Sequence, residues 1–127
     1  MPLGDVTYQD AALDAVVASW PATGAVYRLY NDDPTLGGVE LGSDGGYAPV
    51  AFDPADWDPA ADGVKLATVS FGTSTDSWSD SATWWAVVDS GGLFVYYAAL
   101  ADEAVIAVDE AGTEVTLNPA IAFGDGS

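Results

Sequence analysis

Residues 8–20, YQDAALDAVVASW, place Leu13, Val16, Val17 and Trp20 at i, i+3, i+4 and i+7, with Gln9, Asp10 and Asp14 elsewhere around the turn. That spacing predicts one amphipathic helix over 8–20, ended by Pro21, whose ring and missing N–H cannot continue the ladder. Its apolar stripe is expected to pack on the body of the domain.

From Ala25 onward the pattern changes to short β-rich runs divided by Gly, Pro, Asp and Ser. Strands are predicted near 25–30, 38–41, 47–52, 65–71, 82–89, 93–100, 104–108 and 113–117, with a last one at 120–123. Strands at this spacing predict a mainly β fold: an antiparallel β-sandwich, jelly-roll-like, over about 25–123, with the helix at its N-terminal end. The whole chain, 1–127, reads as a single domain.

The stretch 83–100, TWWAVVDSGGLFVYYAAL, reads as a hairpin turning through Asp89-Ser90-Gly91-Gly92. A strand with one wet face alternates apolar and polar residues, and here both faces are apolar. One face can line the core; the other needs a cover, which the helix, a loop or a neighbouring subunit could supply. Trp85 and Val87 are assigned to the core. Trp84 and Val88 are assigned to an interface, with Phe94 and Tyr96 beside them, although pattern alone does not fix which row faces inward. Large apolar surface of this kind marks association, so the chain is expected to form a homo-oligomer.

Charge narrows the choice of partner. Asp and Glu number 20 against one Arg (Arg28) and one Lys (Lys65), for a formal charge of −18. Half of the residues are hydrophobic, enough apolar surface to offset the entropy of ordering, which argues against disorder. Such a charge repels nucleic acid and anionic membrane surfaces. Like charges destabilise a compact chain in dilute buffer, but in molar salt the Debye length falls to about 3 Å and the repulsion is nearly gone. Scarce Lys with abundant Asp fits a protein of a salt-saturated milieu; a merely acidic protein of an ordinary milieu is the alternative. The start, Met1-Pro2-Leu3-Gly4-Asp5, lacks the basic and apolar regions of a signal peptide, so an intracellular product is expected.

Catalytic chemistry has little to work with. The chain has no His and no Cys, which removes the Ser-His-Asp triad, the cysteine nucleophile and imidazole or thiolate zinc sites. One Lys and one Arg are a poor phosphate clamp. Paired carboxylates carry no weight as a glycosidase signal, because twenty acids always allow two at a suitable separation. Asp53, Asp56, Asp58 and Asp62 gather in one loop and are weak candidates for a hard cation, but their spacing is not that of an EF-hand; solvated loop acids are the favoured reading. Trp57, Trp78, Trp84 and Trp85 could stack on sugar rings, although aromatics in β-sandwiches more often fill cores or interfaces. No enzymatic activity and no cofactor are expected.

The order of the pieces resembles a family of small tailed-virus proteins labelled phage tail fibre proteins, which includes virion decoration subunits. Its opening helix, of the type Y-L-E-N-x-L-L-D, is similar to Tyr8-Gln9-Asp10-Ala11-Ala12-Leu13-Asp14. Its L-Y-T-x-x-P and E-V-S-G-G-G-Y-A-R stretches resemble RLYNDDP at 28–34 and VELGSDGGYAPVAF at 39–52. Its second half resembles WSDSATWWAVVDSGGLFVYYAAL at 78–100 and VDEAGTEVTLNPAIAF at 108–123. Two positions depart from the pattern: Pro49 stands where the family has a basic residue, and Arg28 where it has a small one. The resemblance implies a non-enzymatic β-sandwich that associates as a trimer on a virion, made in the host cytoplasm and contacting the major capsid protein or tail proteins. With the acid excess, it implies a virus of a halophilic archaeon. A capsid decoration or turret subunit is the favoured reading; a receptor-binding tail fibre or baseplate module is the alternative.

Overall fold

The computed structural model describes residues 6–21 and 23–122. Helix α1 spans Val6–Ala18 and closes through Ser19 and Trp20, whose N–H groups reach back to Ala15 and Val17. The predicted stripe is the buried one: Leu13, Val17 and Trp20 lie in the core and Val16 packs against it. On its other side Asp10 accepts from Gly63 N at 2.8 Å, and Asp14 accepts from Ala60 N at 2.9 Å and from Lys65 Nζ at 2.6 Å. The helix thus covers the body of the domain, held by carboxylates that fix the loop 58–65.

Among the described residues the fold is mainly β and antiparallel, with a single α-helix near the N-terminus. Strands are β1 (Val26–Tyr30), β2 (Val50–Ala51), β3 (Lys65–Leu66), β4 (Val69–Thr73), β5 (Trp84–Val88), β6 (Phe94–Ala99), β7 (Glu114–Leu117) and β8 (Ala120–Ile121). A four-stranded sheet runs in the order β2-β1-β5-β6. Facing it across the core, 65–73 pairs with 114–121 as two short ladders, β3 with β8 and β4 with β7. The interruption has a local cause: Ala67 N donates to Pro119 O at 3.2 Å, but Pro119 has no N–H to return. This divides the predicted strand 65–71 in two.

Two other predicted strands are reduced to single bridges. Residues 38–41 form a single β-bridge with β1, Tyr30–Glu40, and 104–108 a single bridge with the chain before β5, Ala82–Ile106, after a turn of 3₁₀ helix at Asp102–Ala104. The run 47–52 shrinks to β2 because Tyr47 is drawn into the core, following the 3₁₀ turn Asp44–Gly46. Gly45 in that turn has φ 77° and lies so close to Trp78 that a Cβ would collide with the indole, whose Nε1 donates to Gly45 O at 3.1 Å. Of the predicted strand 120–123, Phe123 lies outside the described residues.

The core between the layers is largely aromatic. Trp20 stacks with Tyr96 at a centroid distance of 5.3 Å and meets Trp57 edge-on at 5.8 Å, while Trp85 lies 5.4 Å from Tyr96. Trp57 Nε1 donates to the Tyr27 hydroxyl at 2.8 Å, satisfying a polar pair in the apolar interior. Burial pushes the Tyr27 phenol up to about 12 despite that hydrogen bond.

Candidate interaction surface

The outer face of the four-stranded sheet is the surface that the hairpin presents to solvent. β5 and β6 turn through Asp89–Gly92 as the sequence predicts. Asp89 N donates to Leu93 O, Asp89 Oδ1 accepts from Gly91 N and Leu93 N, and Gly92 takes φ 85°. The row assignment also agrees with the structure: Trp85 and Val87 are fully buried in the main core, and Trp84, Ala86 and Val88 point the other way.

The second strand is not a simple alternation. Val87 pairs with Tyr96 and Val88 with Phe94, so Val95 is an extra residue, a β-bulge that reverses the phase. Phe94 therefore shares the outer face with Tyr97, their rings edge to face at 5.7 Å, and Tyr96 turns into the core between Trp20 and Trp85. Of the four residues assigned to an interface, the structure brings Trp84, Val88 and Phe94 to one face and sends Tyr96 to the opposite one. An uninterrupted apolar run has no polar residue to mark its phase, which is why sequence placed Tyr96 outside.

Tyr30 belongs to this face and was not singled out from sequence. Its signal was present in β1, where Arg28 marks the outward row and Tyr27 and Leu29 the inward one. Tyr30, Ala86 and Val88 are buried beneath Trp84, Phe94 and Tyr97; Tyr30 meets Phe94 at 6.0 Å and Trp84 meets Tyr97 at 6.3 Å. The outer face thus supplies part of its own cover. What remains open is a rim: Phe94 and Tyr97 are each 41% exposed and Leu93 at the hairpin tip is 70% exposed.

Beside this rim, Arg28 Nη1 contacts both Glu40 oxygens at 2.9 Å, and Glu40 also accepts from the Tyr47 hydroxyl at 2.7 Å. Burial raises the Tyr30 phenol above its ordinary value; the Glu40 charge adds to this and Arg28 opposes it. Both bases of the chain are therefore in ion pairs, Arg28 with Glu40 and Lys65 with Asp14. The Lys65 hydrogen bond, then that of Ala60 N, holds the Asp14 carboxyl below the usual carboxylate range.

The acidic loop is occupied with local structure. Asp53 caps the 3₁₀ turn Pro54–Asp56 by accepting from Ala55 N at 2.9 Å, Asp58 O accepts from Lys65 Nζ at 3.0 Å, and Asp62 adopts φ 54°. Asp56 is exposed. Among the described residues no three acidic side chains are grouped to hold a metal ion, and no pocket opens. Of the tryptophans that could stack on sugars, Trp57, Trp78 and Trp85 are core residues. No family model, curated protein or solved structure matches the chain.

Proposed function

We propose that this chain is a structural subunit of a tailed-virus particle from a high-salt environment, a decoration or turret subunit on the capsid that assembles with copies of itself and has no catalytic role. The observation that carries the reading is the apolar rim of Phe94, Tyr97 and Leu93, left open on a body whose formal charge is −18. A soluble chain leaves such a rim where another surface covers it. The resemblance of 8–14, 28–34, 39–52, 78–100 and 108–123 to the tail fibre and decoration family supports the viral setting. The pairing of both bases within the fold supports the salt setting, since the acids then face water with no cation of the chain beside most of them.

Quantitative gel densitometry of purified virions tests the location. A capsid decoration is present in many copies, comparable to the major capsid protein. A few copies per particle would instead favour a receptor-binding tail fibre or baseplate module. Absence from particles would refute the structural role.

A further inference from the structure

β6 is the last strand of the four-stranded sheet, and its two edges differ. Leu100 N donates to Thr83 O at 2.8 Å, so the main-chain groups of Leu100, and with them those of Ala98 and Tyr96, face β5. Tyr97 and Ala99 turn their N–H and C=O groups the other way, where no strand or main-chain hydrogen bond meets them among the described residues. Soluble proteins protect such edges with charge, proline or a bulge. From Leu93 to Ala101 there is no charged residue and no proline, and the bulge at Val95 lies at the beginning of the strand.

Charge selects the occupant. Asp89 is the only charged residue from Ser81 to Ala101, while the other nineteen acids lie elsewhere in the chain. A cationic partner would be drawn to those acids and would gain nothing at β6. Two copies of this chain that meet elsewhere must desolvate carboxylates, a cost that salt does not remove, whereas at β6 they meet on a strip free of charge. The opposite edge of the sheet is no alternative mate: β2 is two residues long and follows Pro49.

We propose that β6 pairs antiparallel, centred on Tyr97, with β6 of a second copy of this chain, so that one continuous sheet crosses a two-fold axis. Identical antiparallel edges are self-complementary under that symmetry. Tyr97 then stands directly opposite the partner's Tyr97 on the outer face, and the two rims of Phe94 and Tyr97 merge into one aromatic cover over the seam. The proposal rests on self-association from the reading above, but it specifies a pair and a strand where the family resemblance implies a trimer.

The test combines mass, amide exchange and two variants in molar KCl. Light scattering should give two copies for the native chain, and the amides of Tyr97 and Ala99 should exchange slowly. Ala99→Pro removes an outward N–H without touching the β5 ladder and should yield single copies with unchanged near-ultraviolet circular dichroism, whereas Ala99→Ser should remain paired. Tyr97→Asp sets two carboxylates face to face in the seam, desolvated without a partner, and should raise the dissociation constant roughly tenfold or more, which keeps the test decisive if the proline variant misfolds. Three copies, a pair that survives both disruptive variants, or fast exchange at Tyr97 and Ala99 in the assembled state would overturn β6 pairing while leaving self-association intact. Protection there only on adding purified capsid shells would overturn it in favour of a different occupant. Single copies at every concentration would overturn both.

Discussion

Trp84 and Trp85 are adjacent in sequence and chemically identical, so the difference between their truncations measures what the fold does with them. Trp85 is 1% exposed, with its ring 6.1 Å from Trp57 and 5.4 Å from Tyr96. Trp85→Ala should open a cavity between the helix and the sheet and cost about 3–5 kcal/mol. For a chain of 127 residues the unfolding entropy corresponds to about 4 °C per kcal/mol, which gives a fall in Tm of about 10–20 °C. That is a large share of the ~5–15 kcal/mol that holds a domain folded. Trp84 is half-buried on the outer face beside Tyr97, and Trp84→Ala should cost about 1–2 kcal/mol, or ~4–8 °C. Charge should widen the gap: Trp85→Asp is expected to abolish folding, because the carboxylate would be buried without a partner, and Trp84→Asp to leave a folded chain. The assay is thermal unfolding followed by near-ultraviolet circular dichroism in molar KCl, at dilutions where single copies dominate. Equal losses for the two alanine variants, or a larger loss at Trp84, would refute the assignment of inner and outer rows.

Salt should stabilise the fold: with twenty acids and both bases in ion pairs, Tm is expected to rise from dilute buffer to molar KCl, and a flat or falling series would refute the high-salt reading. Alkali should destabilise it. Tyr27 is raised from 10.0 to about 12 by burial, and Tyr47 is raised further by the same cause, so their contribution is complete below pH 10 and is lost as pH rises through their folded values. Tyrosinate absorbance from these two rings should therefore appear together with unfolding; titration of every tyrosine with the fold intact would count against their burial.

The helix and the hairpin were legible because each carries a strong local signal. Leu13, Val16, Val17 and Trp20 can share a face only at a helical period, and Asp89-Ser90-Gly91-Gly92 supplies both the side-chain acceptor and the positive φ that a tight reversal needs. The strands at 38–41 and 104–108 were overestimated for the opposite reason: apolar runs propose strands, but a ladder also requires a partner over several residues, and each of these runs meets one at a single bridge. The mainly β, antiparallel character followed from the spacing of turn residues, and the choice of Trp85 over Trp84 for the core agreed with the packing.

Composition and local pattern by themselves determined the helix stripe, the hairpin and its turn, the excess of acid, and the lack of imidazole and thiol chemistry, since each depends on residue identity or on neighbours within a few positions. Tertiary structure decided the rest. The bulge at Val95 sent Tyr96 inward and Phe94 outward; a strand of uninterrupted apolar residues is equally content in either phase until a partner strand sets its register. Packing brought Tyr30 under Phe94, turned Tyr47 into the core, and committed Arg28 and Lys65 to Glu40 and Asp14, which lie 12 and 51 residues away in the chain. Among the described residues, strand order left β6 at an edge, a property of how strands are arranged that the residues of β6 do not carry.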